Sequence, residues 1–202
     1  MFDLVMSALV ITMTVAVEPP VSYEEIVDEA MFSCKNVKWN DVDEKLLWTL
    51  VEAEKRHNVP PNMRGMILAS ACHESGYNVN AKGDWRTIKR RGKNLRIAKA
   101  IGLFQMWPWW ASPRGRYKID RTDLLQTSDA YLKHITQQLP KVRKKCKIRS
   151  TKKLWVTAWV TAIRSPKANG RCHEKPKHYR LLRRWHRNIM KARKIRKEGC
   201  SC

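Results

Sequence analysis

The feature that most constrains the fold is a nearly continuous apolar run that follows Asn62 and leads to Glu74. The run has no extended polar face, which is typical of a helix enclosed by other elements rather than exposed along one side. Gly76 supplies a common helix stop just after the glutamate. The sequence therefore predicts a central core helix that carries one carboxyl group at its end.

Apolar residues at helical spacing predict further helices in most of the chain. The predicted helices cover residues 41–57, 101–111, 122–144, 150–163 and 177–196. Pro140 marks a point at which the third of these can split. Between Tyr77 and Ala100 the helical period is lost, and Gly83 and Gly92 favour loops with one short hairpin. The predicted fold class is mainly α with a small irregular or β-hairpin insertion.

The charge of the chain is strongly positive and unevenly distributed. There are 41 Lys and Arg residues against 18 Asp and Glu, for a formal net charge of +23, while a hydrophobic content of 43% excludes a disordered chain. The part up to Glu54 is acidic, whereas the part beyond Pro140 is overwhelmingly basic. This charge indicates an anionic partner such as nucleic acid, an anionic membrane surface or an acidic polymer. A solubilising surface without such a partner is the alternative.

The N-terminus is apolar from Leu4 to Val17, which is short for a bilayer span but fits the apolar region of a secretory signal peptide. Thr14 and Ala16 form a small-residue cleavage pattern, although the preceding residues include Asp3 and no Lys or Arg. An uncleaved anchor or an apolar helix of the fold is the alternative. We expect an extracytoplasmic protein, either periplasmic or secreted, with association with a virion as a further setting.

The chain has six cysteines and no Cys-x-x-Cys pair, so their spacing matches no zinc signature. An even number together with an export signal favours disulfides. Cys146 and Cys172 are predicted to pair, because each lies beside a predicted helix of the same basic region. Cys72 lies inside the apolar helix and is interpreted as a small buried hydrophobic residue. The two C-terminal cysteines can pair with Cys34, form intermolecular bonds or stay free.

Two polar elements of the sequence are placed to form the walls of one cleft. Glu74 ends the apolar helix, and Gly102 and Gln105 begin the predicted helix that follows the hairpin region. A carboxyl group in apolar surroundings keeps its proton near neutral pH, as a general acid requires. An amide can bind the hydroxyl and N-acetyl groups of a sugar. The pattern therefore favours a site for a polar polymer such as a glycan.

The segments HESGYNVNAKGD and AIGLFQMWP resemble the E-S-G-x-N-x-x-A and G-L-x-Q-x-x-P blocks of the soluble lytic transglycosylases and the related goose-type lysozymes. The resemblance covers residues 41–185, and its recognisable motif lies within residues 63–111. It implies a lysozyme-like, α-rich domain that cleaves the bond between N-acetylmuramic acid and N-acetylglucosamine in peptidoglycan. No metal or cofactor is expected for this reaction.

The resemblance also implies roles for individual residues. Glu74 corresponds to the catalytic acid, Ser75 to its supporting hydroxyl group, and Gly102 with Gln105 to the turn that lines the cleft. Retaining or inverting hydrolysis needs a second carboxyl group, for which Asp84 is the nearby candidate. In transglycosylases of the family the N-acetyl group of the substrate is thought to replace it, and the same glutamate closes a 1,6-anhydro ring. With one strong carboxyl candidate, transglycosylation is favoured, and lysozyme-type hydrolysis is the alternative.

The chain departs from the family pattern at several positions. Ala100 stands where the family has a serine, and Trp159-Val160 stands where a late Tyr-Asn pair is usual. Trp159 can serve as a substrate-binding ring near the acid, but Val160 cannot form the hydrogen bonds of an asparagine. The cationic segment 82–99 is longer than the family's connection and can wrap an acidic substrate.

Other tryptophans have two interpretations. Trp107, Trp109 and Trp110 can stack on sugar rings or pack in the protein. Trp155 and Trp185 lie at helical spacing and are predicted to belong to the core.

The expected organisation has four parts and one main partner. They are a signal peptide or short anchor at 1–17, an acidic N-terminal segment at 18–40, a lysozyme-like transglycosylase domain at 41–190 and a basic, cysteine-containing tail at 191–202. We expect a monomer that acts on peptidoglycan strands, with its cations held against an anionic cell-envelope surface. Nucleic acid is a rival partner, but the basic last helix comes with no finger or RNP-type motif. A non-catalytic peptidoglycan-binding protein is the third possibility.

Overall fold

The protein, seen here in a computed structural model, is mainly helical with one two-stranded antiparallel sheet. The structure describes residues 18–34, 37, 44–109, 111–163, 172 and 177–199. The helices are α1 (Tyr23–Ser33), α2 (Glu44–Arg56), α3 (Met66–Ser75), α4 (Leu124–Thr136), α5 (Leu139–Cys146), α6 (Thr151–Ile163) and α7 (Lys177–Gly199), and the strands are β1 (Lys82–Arg90) and β2 (Lys93–Ile101). The predicted signal segment lies outside the described residues, as do Cys200 and Cys202.

Helix α3 is central, as its apolar sequence predicts. All of its residues from Met66 to Cys72 are buried, and α1, α2 and α7 contact it. Gly65 precedes it with φ 82°, and a Cβ atom there would come within 2.4 Å of Ile26 in α1. Gly76 ends it in the left-handed conformation with φ 58°. Glycine is therefore favoured at both ends of the helix, at Gly65 by the close approach of α1 and at Gly76 by its positive φ.

Helix α1 was not expected from the sequence, which indicated only an acidic segment. Ser22 and Glu25 form a capping box at its start, a signal that is readable in the sequence. Arg193 of α7 donates hydrogen bonds of 2.7 and 2.6 Å to the Glu25 carboxylate, and these bonds lower the pKa of Glu25 to about 2. The acidic segment thus joins the core and pairs with the basic last helix.

The predicted hairpin is present, but its strands are longer than the short hairpin expected from the sequence. Each strand has nine residues, and the pairing runs from Lys82 with Ile101 to Arg90 with Lys93. Arg91 and Gly92 make the turn with φ of 47° and 75°. Positive φ at both central positions is the geometry of a type I′ turn, whose twist matches that of the two strands.

The helix predicted at residues 101–111 is wrong. Gly102 has φ 82° and Gln105 has φ 48°, and Ile101 pairs with Met106 across a tight turn. A Cβ atom at Gly102 would lie 2.0 Å from the carbonyl oxygen of Arg121, so the close packing of that segment selects glycine. Apolar spacing alone could not reveal this turn, because its partners are distant in sequence.

The helix predicted at residues 122–144 is divided. Helix α4 ends at Thr136 and α5 begins at Leu139, with Pro140 in the first turn of α5, where its missing N–H costs nothing. Helices α6 and α7 form where they were predicted, and α7 continues into the segment assigned to the basic tail. Trp155 and Trp185 are buried, which confirms them as core residues.

Two disulfides join distant segments. Cys146–Cys172 confirms the predicted pair. The interpretation of Cys72 as an unpaired hydrophobic residue is wrong, because it bonds to Cys34 and ties α3 to the end of α1. Cys34 is therefore not free for a C-terminal cysteine. The disulfides are compatible with an extracytoplasmic location, and none of the helices within the described residues has the length and apolarity to span a membrane.

Candidate active site

Glu74 lies in the last turn of α3, where the buried helix reaches the base of the hairpin. Its side chain is partly exposed. Burial raises its pKa, the negative charge of Asp84 raises it further, and the positive charge of Lys177 opposes both effects. The carboxyl group therefore retains its proton at a higher pH than a solvated glutamate does, which is the property of a general acid.

Asp84 is the second carboxyl group near Glu74. It lies in β1 with φ 48°, is exposed, and accepts a hydrogen bond of 2.8 Å from the indole nitrogen of Trp107. This bond holds Trp107 against the base of the hairpin. Trp109 is 39% exposed, whereas Trp110 lies outside the described residues.

The predicted Gly102 and Gln105 lie together at the base of the hairpin. The amide nitrogen of Gln105 donates to the Gly102 carbonyl oxygen at 3.0 Å, and the Gly102 N–H donates to the Ala81 carbonyl oxygen at 2.9 Å. A Cβ atom at Gly83 would lie 2.3 Å from the side-chain oxygen of Gln105. The glutamine side chain therefore packs directly on the backbone at the start of β1.

Arg121 stabilises this turn through hydrogen bonds to backbone carbonyl groups. Its guanidinium group donates hydrogen bonds of 2.8 Å to the carbonyl oxygens of Lys99 and Met106. One side chain thus joins the end of β2 to the turn that follows it. Arg121 was not identified from the sequence.

An aromatic cluster lies near Glu74. Tyr131 of α4 stacks on Phe104, with ring centroids 4.3 Å apart, and accepts a hydrogen bond of 3.1 Å from the indole nitrogen of Trp159. Burial raises the pKa of Tyr131, and so does the charge of Glu74, which places the phenol near the carboxyl group. Tyr131 was missed in the sequence because it reads as one more apolar residue of an amphipathic helix.

Trp159 does not occupy the position expected of a substrate-binding ring. It is 0% exposed and therefore does not lie on the surface of the site. Val160 and Ala100, the two departures from the family pattern, are buried as well. Ser75 stays beside Glu74, and its hydroxyl group donates to the Ala71 carbonyl oxygen at 3.1 Å. We therefore assign Trp159 a supporting role.

A fully buried glutamate, Glu54, was not identified from the sequence. Glu54 of α2 is 0% exposed and accepts hydrogen bonds of 2.8 Å from the backbone N–H groups of Gly65 and Ile67, at the start of α3. Burial raises its pKa to about 7 against these bonds. A signal was present in the sequence, because Glu54 continues the apolar stripe of Leu47, Leu50 and Val51 at helical spacing.

Among the described residues there is no group of three or more His, Cys, Asp or Glu side chains that could hold a metal ion. Comparisons of the chain with protein-family models, with curated proteins and with solved structures found no match. The geometry of the site and the two sequence blocks are therefore the features that bear on function.

Proposed function

We propose that this protein is a lytic transglycosylase that cleaves the MurNAc-GlcNAc bond of peptidoglycan with Glu74 as its catalytic acid and base. The proposed domain is lysozyme-like. The observation that carries the proposal is the position of Glu74, a carboxyl group with a raised pKa at the end of a buried helix. Its charge acts on Tyr131, whose ring stacks on Phe104 in the turn formed by Gly102 and Gln105. The first sequence block that resembles the family contains Glu74, and the second contains Gly102 and Gln105.

In the proposed reaction the protonated Glu74 gives its proton to the glycosidic oxygen while the bond to the muramyl C1 breaks. The N-acetyl group of the substrate stabilises the positive charge that develops on the sugar. The Glu74 carboxylate then takes the proton of the muramyl 6-hydroxyl group, whose oxygen bonds to C1 and closes the 1,6-anhydro ring. The enzyme ends with its proton restored, and no water is consumed. One carboxyl group is sufficient for both steps.

The second candidate is lysozyme-type hydrolysis, which the position of Asp84 favours. Its charge acts on Glu74, so the two carboxyl groups lie near each other, as a two-carboxylate glycosidase requires. Asp84 would then stabilise the sugar cation or activate a water molecule. In the transglycosylase, by contrast, Asp84 only raises the pKa of Glu74 and anchors Trp107.

Digestion of purified peptidoglycan, with the released muropeptides identified by mass spectrometry, tests the proposal. The wild-type protein is expected to release 1,6-anhydro-muropeptides, and Glu74→Gln none. Glu52→Gln is the matched control, because Glu52 is an exposed carboxylate on the surface of α2. It should release the same products as the wild type at the same rate.

Asp84→Asn separates the two reactions. For a transglycosylase this variant keeps its anhydro products, with a rate within about tenfold of the wild type, because it loses only an electrostatic influence on Glu74. Reducing ends from the wild type, together with a loss of about a hundredfold or more in Asp84→Asn, would identify a hydrolase. Absence of any release by the wild type, where a known muramidase is active on the same material, would reject both.

A further inference from the structure

The hairpin has two chemically different faces beyond its base. Because successive side chains of a strand alternate and paired residues share a face, the register assigns each residue to one side. We call one side the tip face; it consists of Arg86, Ile88, Arg90, Lys93, Leu95 and Ile97. The opposite face carries Trp85, Thr87, Lys89, Asn94, Arg96 and Ala98, with the Arg96 guanidinium group 5.3 Å from the centre of the Trp85 ring. Only the tip face has long aliphatic side chains.

The tip face is exposed. Leu95 is 41% exposed, Ile88 and Ile97 are partly exposed, and the three cations of the face are exposed. In the described part of the chain, none of these cations belongs to an ion pair. A strand rises about 3.3 Å per residue, so Ile88 lies roughly 16 Å along β1 from Gly83 at the base. The face is therefore accessible and separate from the site around Glu74.

We propose that the tip face binds the surface of an anionic lipid bilayer. Its aliphatic side chains form a continuous strip through the cross-strand pair of Ile88 with Leu95 and the neighbouring Ile97. Basic side chains flank this strip on both sides: Arg86 toward the base, and the pair of Arg90 with Lys93 toward the turn. The aliphatic groups enter the boundary between headgroups and acyl chains, and the guanidinium and ammonium groups contact lipid phosphates.

The aliphatic strip distinguishes a bilayer from a dissolved polyanion. A nucleic acid or an acidic polymer would be attracted by the cations alone, and solvent-exposed aliphatic side chains would add little to its binding. A bilayer uses both kinds of group, because binding strength depends on buried apolar area as well as on attraction to anionic lipids. The proposed contact with an anionic surface is therefore located at the end of the hairpin.

Sedimentation with lipid vesicles tests the inference on the full chain. Vesicles of phosphatidylglycerol and phosphatidylcholine should bind the wild type, and vesicles of phosphatidylcholine alone should bind it at least tenfold more weakly. Ile88→Thr with Leu95→Thr keeps every charge and suits a strand, and it should weaken binding to the anionic vesicles about tenfold. Arg90→Gln with Lys93→Gln should weaken it by a similar or larger factor.

Arg143→Gln with Lys144→Gln is the matched control, since it removes the same charge from exposed positions on α5. This control should change binding by less than about threefold. Circular dichroism should show that all variants fold. Two results would overturn the inference: aliphatic variants that bind as well as the wild type, or a control that loses as much as the hairpin variants. Strong binding of double-stranded DNA with no binding to anionic vesicles would also overturn it.

The inference does not depend on the proposed enzymatic function. Vesicle binding requires neither Glu74 nor a glycan, and the Glu74→Gln protein should bind anionic vesicles as the wild type does. Failure of the peptidoglycan assay would leave the vesicle result unchanged. Failure of vesicle binding would likewise leave the identity of the muropeptide products unaffected.

Discussion

The two ends of α3 each meet a glutamate, and the two glutamates differ in what surrounds them. At the start of the helix Glu54 is fully buried and accepts hydrogen bonds from backbone N–H groups of Gly65 and Ile67. At the end of the helix Glu74 is partly exposed, beside Asp84 and Lys177. Burial raises the pKa of both. A raised pKa therefore does not by itself identify the reactive group.

Solvent access makes the difference. Glu54 uses its oxygens to satisfy N–H groups that a helix start leaves without an intrahelical partner, and solvent does not reach it. Glu74 is reachable and belongs to the motif that resembles a known catalytic block. We therefore propose a structural role for Glu54 and the catalytic role for Glu74. Each assignment can be tested by a substitution that should affect one property and spare the other.

The largest expected effect on stability is that of Glu54→Ala. It leaves two buried N–H groups without a partner and opens a cavity, which should lower the free energy of unfolding by about 3 kcal/mol. Glu74→Ala, at a partly exposed helix end, should change it by less than about 1 kcal/mol. Urea unfolding at pH 6 measures both. Equal losses in the two variants would remove the distinction between the two ends.

The pH dependence of stability should reveal Glu54 as well. Its pKa is about 7 in the folded protein against 4.5 for a free glutamate, so the folded state binds the proton more tightly. The contribution to stability is therefore greatest below pH 4.5 and falls as the pH rises toward 7. Between pH 5 and pH 8 the wild type should lose roughly 2 to 3 kcal/mol more than Glu54→Gln. A difference between the two proteins that does not change with pH would refute a titrating Glu54.

The smallest expected effect concerns Asp84. Its charge raises the pKa of Glu74, so Asp84→Asn should lower that pKa. The alkaline side of the pH–rate profile for peptidoglycan cleavage should then move to lower pH. A shift toward higher pH would contradict the electrostatic role of Asp84.

The sequence predicted those parts of the fold and site that depend on local pattern. Helix α3 was predicted correctly because its residues are apolar on all sides. The turn at these residues was taken for a helix, because the carbonyl oxygen of Arg121 that excludes a side chain at Gly102 is remote in sequence. Tyr131 and Lys177 lie on helices far along the chain and interact electrostatically with Glu74, and no local pattern indicates such proximity.

The most direct test of the account is the rate of muropeptide release per folded molecule for Glu74→Gln against Glu54→Gln, with the folded fraction taken from urea unfolding of each variant. The account predicts a loss of about a thousandfold for Glu74→Gln, as expected for removal of a general acid, and a rate within about threefold of the wild type for Glu54→Gln. Release by Glu74→Gln at more than a tenth of the wild-type rate, or an equal loss in both variants, would contradict the assignment of catalysis to the end of α3.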